Sequence, residues 1–225
     1  MVVQDGTRER LLEAGGEEFA EKGFDAARVR RICVRAKANG AAINYYFGDK
    51  VGLYIEAVLE AHRCGAGVMI SEDVFSDLEP AEQLKMFIHH FLANVLAVKR
   101  DTWHHALMIR EMLRPSTACE TMVRESIRPR FERLYGIMKR ICPGAEERRL
   151  QALTFSVIGQ CLHYKVARPI SERLIGLEAY EALDLAFLTD HITTFSLAAL
   201  GQGTAFDRDG RSKELSAAAI TVSTG

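Results

Sequence analysis

The feature that most constrains this chain is a pair of short amphipathic segments between Gly23 and Lys50. After the turn Gly23-Phe24-Asp25, Val29, Ile32, Cys33 and Ala36 recur at helical spacing, while Arg28, Arg31 and Arg35 take the other face. That pattern ends near Lys37. A second short segment, Gly40 to Tyr46, turns Ile43 and Phe47 inward, and Gly48-Asp49-Lys50 then opens a longer helix through Leu53, Ala57, Val58 and Ala61. Ahead of the pair, Thr7 to Lys22 reads as a helix with Leu11, Gly15 and Phe19 in one row and Lys22-Gly23 as its stop. Gly15 and Gly16 each cost roughly 1 kcal/mol relative to alanine in mid-helix, which a closely packed neighbouring helix would justify. Short helix, tight turn, short helix is the helix-turn-helix pattern.

In that motif the second short helix lies in the major groove of DNA with its N-terminal residues at base edges, while flanking groups hold phosphates. Here its outer face is nearly all small or polar: Asn39, Gly40, Ala41, Ala42, Asn44 and Tyr45. Small residues let the backbone approach the groove, Asn44 can pair with adenine N6 and N7, and alanine can meet a thymine methyl. Tyr45, Tyr46, Arg28 and Lys50 are donors suited to phosphate oxygens, and Lys50 also sits at a helix start, where free N–H groups attract anions. The net charge of the chain is −1. From Ala26 to Lys50, however, six basic residues (Arg28, Arg30, Arg31, Arg35, Lys37, Lys50) face one acid, Asp49, giving +5 and leaving −6 for the remainder. A solvated helical face explains one basic helix but explains this asymmetry less well. Asn44 as an ordinary exposed residue, and Tyr45 and Tyr46 as partial core, remain open readings.

Beyond residue 50 the expectation is more helix, at about 81–98, 103–113, 129–141, 146–167 and 177–200, with no strand and no repeat. The glycine-rich and acidic stretch 64–80 is the expected boundary region, and the tail 201–225, which loses periodicity, is expected to be mobile. The fold class is therefore all-α: a three-helix DNA-binding domain over 1–50, a larger helical ligand-binding and dimerisation domain over 51–200, and the tail. On the helix 146–167, Leu150, Leu153, Val157, Cys161 and Tyr164 form one apolar row, and Phe155, Ile158, Leu162 and Val166 another. The last helix shows Leu185, Leu188, Ile192, Phe195 and Ala199 beside Tyr180, Leu183 and Phe187. A helix apolar on two sides needs partners on two sides, so a homodimer through these helices is expected. Aromatic, methionine and histidine side chains at Phe87, His90, Phe91, Trp103, His104, Met108, Phe131, Tyr135, Phe155 and His163 suit either the wall of a small-molecule pocket or a close-packed core.

Other chemistry finds little footing. The five cysteines are scattered, odd in number and without C-x-x-C spacing, so they read as buried thiols in a reducing compartment. Adjacent histidines at His89-His90 and His104-His105 point about 100° apart on a helix and lack the i, i+4 spacing of a chelating pair, so no metal is expected. No G-x-S-x-G, phosphate loop or dinucleotide fingerprint is present, so no catalytic residue and no cofactor are assigned. The N-terminus lacks a basic stretch leading into an apolar run, and no apolar stretch reaches about 18 residues, which together lead us to expect a cytoplasmic protein without a membrane partner.

The string G-F-D-A-A-R-V-R-R-I-C-V-R-A-K-A-N-G-A-A-I-N-Y-Y-F-G-D-K-V-G-L, Gly23 to Leu53, resembles the TetR family of regulators. The marks are a helix ending F-A-E-K-G-F, an I-C-x-x-A segment and the block I-N-Y-Y-F-G-D-K. I-R-E-M-L-R-P (Ile109 to Pro115), S-I-R-P-R-F (Ser126 to Phe131) and S-V-I-G-Q-C-L-H-Y-K-V-A-R-P (Ser156 to Pro169) resemble the C-terminal domain of the CecR-like branch. The resemblance implies base contacts from Arg30, Gly40, Ala41 and Asn44 and phosphate contacts from Tyr45, Tyr46 and Lys50. It also implies a homodimeric repressor that leaves a palindromic double-stranded operator when an unidentified small-molecule effector binds. The alternatives are a small all-α enzyme or ligand-binding protein without operator binding, and a DNA-binding module that acts as an activator or independently of any ligand. Three positions depart from the family pattern. Arg28 stands where Thr or Ser usually caps the second helix, at a cost of about 1 kcal/mol; Lys37 replaces the turn glycine and must hold a left-handed conformation; Tyr46 replaces a common histidine.

Overall fold

The computed structural model describes residues 5–66, 75, 77–97, 102–202, 204–206 and 212–214. In chain order the helices are α1 (Asp5–Ala26), α2 (Val29–Ala36), α3 (Gly40–Phe47), α4 (Lys50–Ala66), α5 (Pro80–Ala97), α6 (Trp103–Leu113) and α7 (Thr117–Met122). A π-helical turn, Val123–Ile127, leads into α8 (Arg128–Ile141), and α9 (Glu147–Val166), α10 (Arg168–Ile175), α11 (Leu177–Glu181) and α12 (Leu185–Ala199) follow. Two three-residue strands, β1 (Thr204–Phe206) and β2 (Ser212–Glu214), pair antiparallel with Ala205 opposite Lys213.

The chain divides into two compact units: Met1–Val68 with Leu96–Arg130, and Met69–Val95 with Phe131–Gly225. The first is built on the apolar rows of α1 to α4. Leu11, Phe19, Ile32, Ile43, Leu53, Ala57 and Val58 are all buried, and α6 adds Trp103 and Leu107 to the same core. The two mid-helix glycines of α1 are explained here. A Cβ on Gly16 would lie 2.4 Å from the Trp103 ring, and one on Gly15 would lie 3.1 Å from Leu53, so the bare backbone is what lets α4 and α6 come this close. One carboxylate is buried in this unit with its hydrogen bonds supplied. Glu111 accepts from the Tyr54 hydroxyl at 2.7 Å, the Ser116 N–H at 2.7 Å and the Ser116 hydroxyl at 2.9 Å, which ties α4, α6 and the start of α7 together.

In the second unit Leu84, Ile88 and Leu92 of α5, Leu134, Ile137 and Met138 of α8, Leu150, Val157 and Cys161 of α9, and Leu188 and Ile192 of α12 are buried. Four hydroxyls are buried with them, and each satisfies itself on the carbonyl four residues back: Thr154, Thr189, Thr193 and Ser196. Gln83 donates to the Phe75 and Leu78 carbonyls at 2.8 and 2.9 Å and accepts from Arg140, fixing the start of α5.

The all-α reading holds for the body of the chain, with three corrections. The expected last helix, 177–200, is two helices, because the Asp184 carboxylate takes the Phe187 N–H at 2.8 Å and starts α12 afresh. The stretches 117–127 and 168–175 are helical where no helix was expected; Ser116 caps the first of them, and Pro169 occupies the first turn of the second. The β1–β2 pair was also unexpected, since three residues per strand are too few for a period of two to show. Of the boundary stretch 64–80, residues 67–74 and 76 lie outside the described residues, as does most of the tail expected to be mobile, 201–225.

Candidate nucleic-acid interface

The reading motif rests on a three-residue connection between α2 and α3. Lys37 ends α2 at φ 50°, ψ 45°, the one left-handed non-glycine residue among the described residues, and its N–H returns to the last carbonyls of α2. Holding a β-carbon there costs on the order of 1 kcal/mol or more, which the surrounding contacts must offset. Arg10 from α1 does part of this, donating Nε to the Ala36 carbonyl at 3.1 Å. Asn39 then caps α3: its side-chain oxygen accepts from the Ala41 N–H at 2.7 Å and the Ala42 N–H at 3.3 Å.

The start of α2 lacks a side-chain cap, as the arginine at position 28 implies. The buried Glu18 of α1, however, accepts the Arg28 N–H at 3.3 Å. This is the half of a capping box usually supplied by a glutamate within the same helix, and its charge lies at the positive end of α2. The sequence carried no sign of it, because the acid belongs to another helix.

On α3, Ile43 is buried, Ala42, Tyr46 and Phe47 pack partly against the core, and Gly40, Ala41, Asn44 and Tyr45 form the exposed face. Tyr45 is 74% exposed and meets Tyr46 edge to face at 4.9 Å between ring centroids. Tyr45 is thus a surface group, while Tyr46 is half core. The space around Gly40 is open, so the backbone at the start of α3 is accessible.

The basic segment is less uniformly free than its count suggests. Arg31 turns back to Glu18 at 3.4 Å and Arg35 to Glu17 at 3.0 Å, both on α1. Arg28, Arg30 and Lys37 are exposed and form no salt bridge among the described residues. Lys50 is half-buried, its ammonium 4.7 Å from the centre of the Phe24 ring and 3.4 Å from the Asp25 carbonyl. Beside it the Asp49 carboxylate takes the Gly52 N–H at 2.8 Å, so the start of α4 is already capped in part. The exposed positive charge not paired to α1 carboxylates therefore comes from Arg28, Arg30 and Lys37, with Lys50 held against the end of α1 at Phe24 and Asp25.

The ten residues considered for a ligand pocket divide between the units. Trp103, His104 and Met108 fall in the first, where Trp103 is buried against α1 and stacks on His104 with ring centroids 3.7 Å apart. Trp103 and His104 also line a groove of about 560 Å³ whose other walls include Glu13, Glu17 and Glu21, a more acidic surface than an apolar ligand would need. In the second unit Phe87 stacks on Phe91, Phe131 contacts Tyr135 and Phe155, and His163 meets Tyr164 edge on. His90 is half-buried, and Phe155 is exposed. No helix among the described residues is long and apolar enough to cross a membrane.

Comparison with known proteins matches both parts of the chain. The sequence model described as "Bacterial regulatory proteins, tetR family" matches residues 11–57, and that of the C-terminal domain of the HTH-type transcriptional dual regulator CecR matches residues 80–200. The HTH-type transcriptional repressor NicS of Pseudomonas putida is 43% identical over 56 residues, which is 25% of this chain and 26% of NicS. The HTH-type transcriptional repressor SCO4008 of Streptomyces coelicolor is 35% identical over 69 residues, 31% of this chain and 35% of that protein. The chain thus matches only about a quarter to a third of the length of these curated relatives. Among solved structures, the hemolysin II transcriptional regulator HlyIIR superposes with a TM-score of 0.56 at 19% identity, covering 83% of this chain and 97% of that one. A TetR-like regulator from Rhodococcus sp. RHA1 gives 0.55 at 15% identity, covering 87% and 96%. At these identities the superpositions speak for the fold, while the two sequence models, of which the second alone spans more than half of the chain, speak for descent. The chain belongs to the TetR family of bacterial regulatory proteins, with a C-terminal domain of the CecR type.

Proposed function

We propose that this chain is a DNA-binding transcription regulator, a homodimeric repressor that releases a palindromic operator when a small molecule binds. The observation that carries the reading is the exposed face of α3, small or polar at Gly40, Ala41 and Asn44 and ending in the exposed Tyr45 ring, preceded in the chain by the exposed Arg28, Arg30 and Lys37. Gly40 and Ala41 admit close approach to the groove, Asn44 pairs with a base edge, and Tyr45, Tyr46, Arg28, Arg30, Asn39 and Lys50 address the backbone and its neighbouring bases. One such helix reads too few base pairs to specify a site. Two related by a two-fold axis read half-sites about 34–36 Å apart.

Exposed apolar side chains on α9 and α12 support the dimer. Phe155, Val166, Phe187 and Phe195 are each about half or more exposed, on helices that bury Val157, Cys161, Leu188 and Ile192 in their own core. A second copy covering them removes that surface from water. The aromatic set Phe87, His90, Phe91, Phe131, Tyr135, Phe155 and His163 supports effector binding in the second unit. The effector releases DNA by favouring a subunit arrangement whose reading helices no longer match the half-sites, and a hundredfold preference for that arrangement is worth about 2.7 kcal/mol.

Selection from a random duplex library at moderate salt tests the reading. A two-fold-symmetric motif is expected to emerge. Recovery of no motif, with binding that tracks only ionic strength, would remove the operator and leave a nonspecific polyanion binder.

A further inference from the structure

Outside the reading motif, α4 and α6 bring three side chains of unlike chemistry together. Glu60 and Cys64 lie four residues apart, on one face of α4, and His104 approaches from α6. Their ligand-bearing atoms all lie within 4.8 Å of one another. A tetrahedral ion with bonds of about 2.0–2.3 Å spaces its ligands about 3.5 Å apart, so rotamer adjustments alone bring the three into range. The cluster is partly ordered already: the Cys64 thiol donates to Glu60 Oε1 at 3.7 Å, and the His104 ring lies flat on Trp103. We propose that Glu60, Cys64 and His104 form a binding site for a thiophilic divalent cation of the zinc type, completed by water or the Glu13 carboxylate.

The donor set selects the ion. A thiolate, an imidazole and one carboxylate suit zinc and its neighbours, whereas magnesium and calcium require oxygen ligands throughout. Charge balances as well. On binding, the Cys64 thiol gives its proton to solvent as the sulfur–metal bond forms, and thiolate plus carboxylate then neutralise the dication. Without a metal the same pair is unfavourable: burial and the Glu60 carboxylate push the Cys64 thiol up, Glu13 adds to the shift, and Arg63 opposes it. Arg63 is also the group a metal must displace, standing 3.4 Å from Glu60, and it has Glu56 at 3.8 Å as an alternative partner. The acidic groove lined by Glu13, Glu17 and Glu21 runs up to His104, and its charge draws cations towards the cluster.

The sequence offered no such motif, because the two α4 ligands are not histidines and the third lies on another helix. Co²⁺ is the probe, titrated into the metal-free full-length chain in a non-chelating, thiol-free reductant. One ion per chain is expected, with a thiolate-to-cobalt charge-transfer band and the intense visible bands of a tetrahedral site, all abolished by stoichiometric Zn²⁺. Cys64→Ser should lose the charge-transfer band, His104→Gln and Glu60→Gln should each weaken binding at least about tenfold, and Cys119→Ser should bind as the parent does. Zn²⁺ should raise the unfolding temperature of the parent and not that of Cys64→Ser. No charge-transfer band in the parent, or a band that survives Cys64→Ser in a chain with unchanged circular dichroism, would overturn the site.

Discussion

Two adjacent glycines in α1 are expected to respond in opposite ways to the same substitution. Alanine is worth roughly 1 kcal/mol more than glycine in a helix interior, so propensity alone stabilises both Gly15→Ala and Gly16→Ala by that amount. At Gly15 the new methyl meets the Leu53 side chain at 3.1–3.3 Å, a conflict that a shift of a few tenths of an ångström in a flexible side chain relieves. At Gly16 it meets three ring atoms of Trp103 at 2.4–2.5 Å, about 1 Å inside van der Waals contact, and the rigid indole is buried. Overpacking of this kind costs about 1–3 kcal/mol, and ejecting the ring costs more. Gly15→Ala should therefore be neutral to slightly stabilising, and Gly16→Ala should be less stable than it by about 2–3 kcal/mol. Trp103 is the chain's single tryptophan, so its emission reports on this contact during urea unfolding. It should be blue-shifted in the parent and in Gly15→Ala, and red-shifted in native Gly16→Ala. Equal midpoints and identical native emission for the two variants would refute the argument that Trp103 is held against α1.

His62 on α4 is half-buried, and its desolvation, helped by the charge of Arg130, pulls its pKa from 6.5 down to about 4. The unfolded chain therefore takes up the proton first, so this contribution is complete above about pH 6.5 and is lost as pH falls towards about 4. The loss is on the order of 2–3 kcal/mol, and His62→Leu should flatten that part of the stability–pH curve. Tyr54→Phe removes one of the three donors to the buried Glu111 carboxylate and should cost about 1–3 kcal/mol by urea unfolding, with duplex binding weakened only as far as the fold is. If α9 and α12 form the dimer, Phe187→Glu with Phe195→Glu should give a folded monomer by light scattering at micromolar concentration and abolish operator binding; a persistent dimer would move the interface elsewhere.

The reading motif was legible because its determinants are local. Ile32, Cys33 and Ile43 declare which faces are buried, and the missing glycine at Lys37 foretells a strained turn that φ 50° realises. What escaped depends on groups distant in sequence. Nothing near Arg28 announces that Glu18 will take its N–H, nor that Arg31 and Arg35 will spend their charge on α1. Aromatic residues are ambiguous for a related reason: Trp103 has the composition of a pocket wall, and only the glycine opposite it shows that it is core. The break at Asp184 was missed because an aspartate inside an apolar period reads as an exposed helix position as readily as a cap.

The central claim is that the exposed face of α3 reads base edges while the basic residues around it hold the backbone. The most direct test compares the affinity of the parent and of Asn44→Ala for a selected operator and for a scrambled duplex of the same length, at fixed salt. The parent should prefer the operator, and Asn44→Ala should lose about 1–3 kcal/mol of that preference, confined to particular base pairs, with binding to the scrambled duplex unchanged. Equal affinity of the parent for both duplexes, or a uniform loss on both in Asn44→Ala, would contradict it.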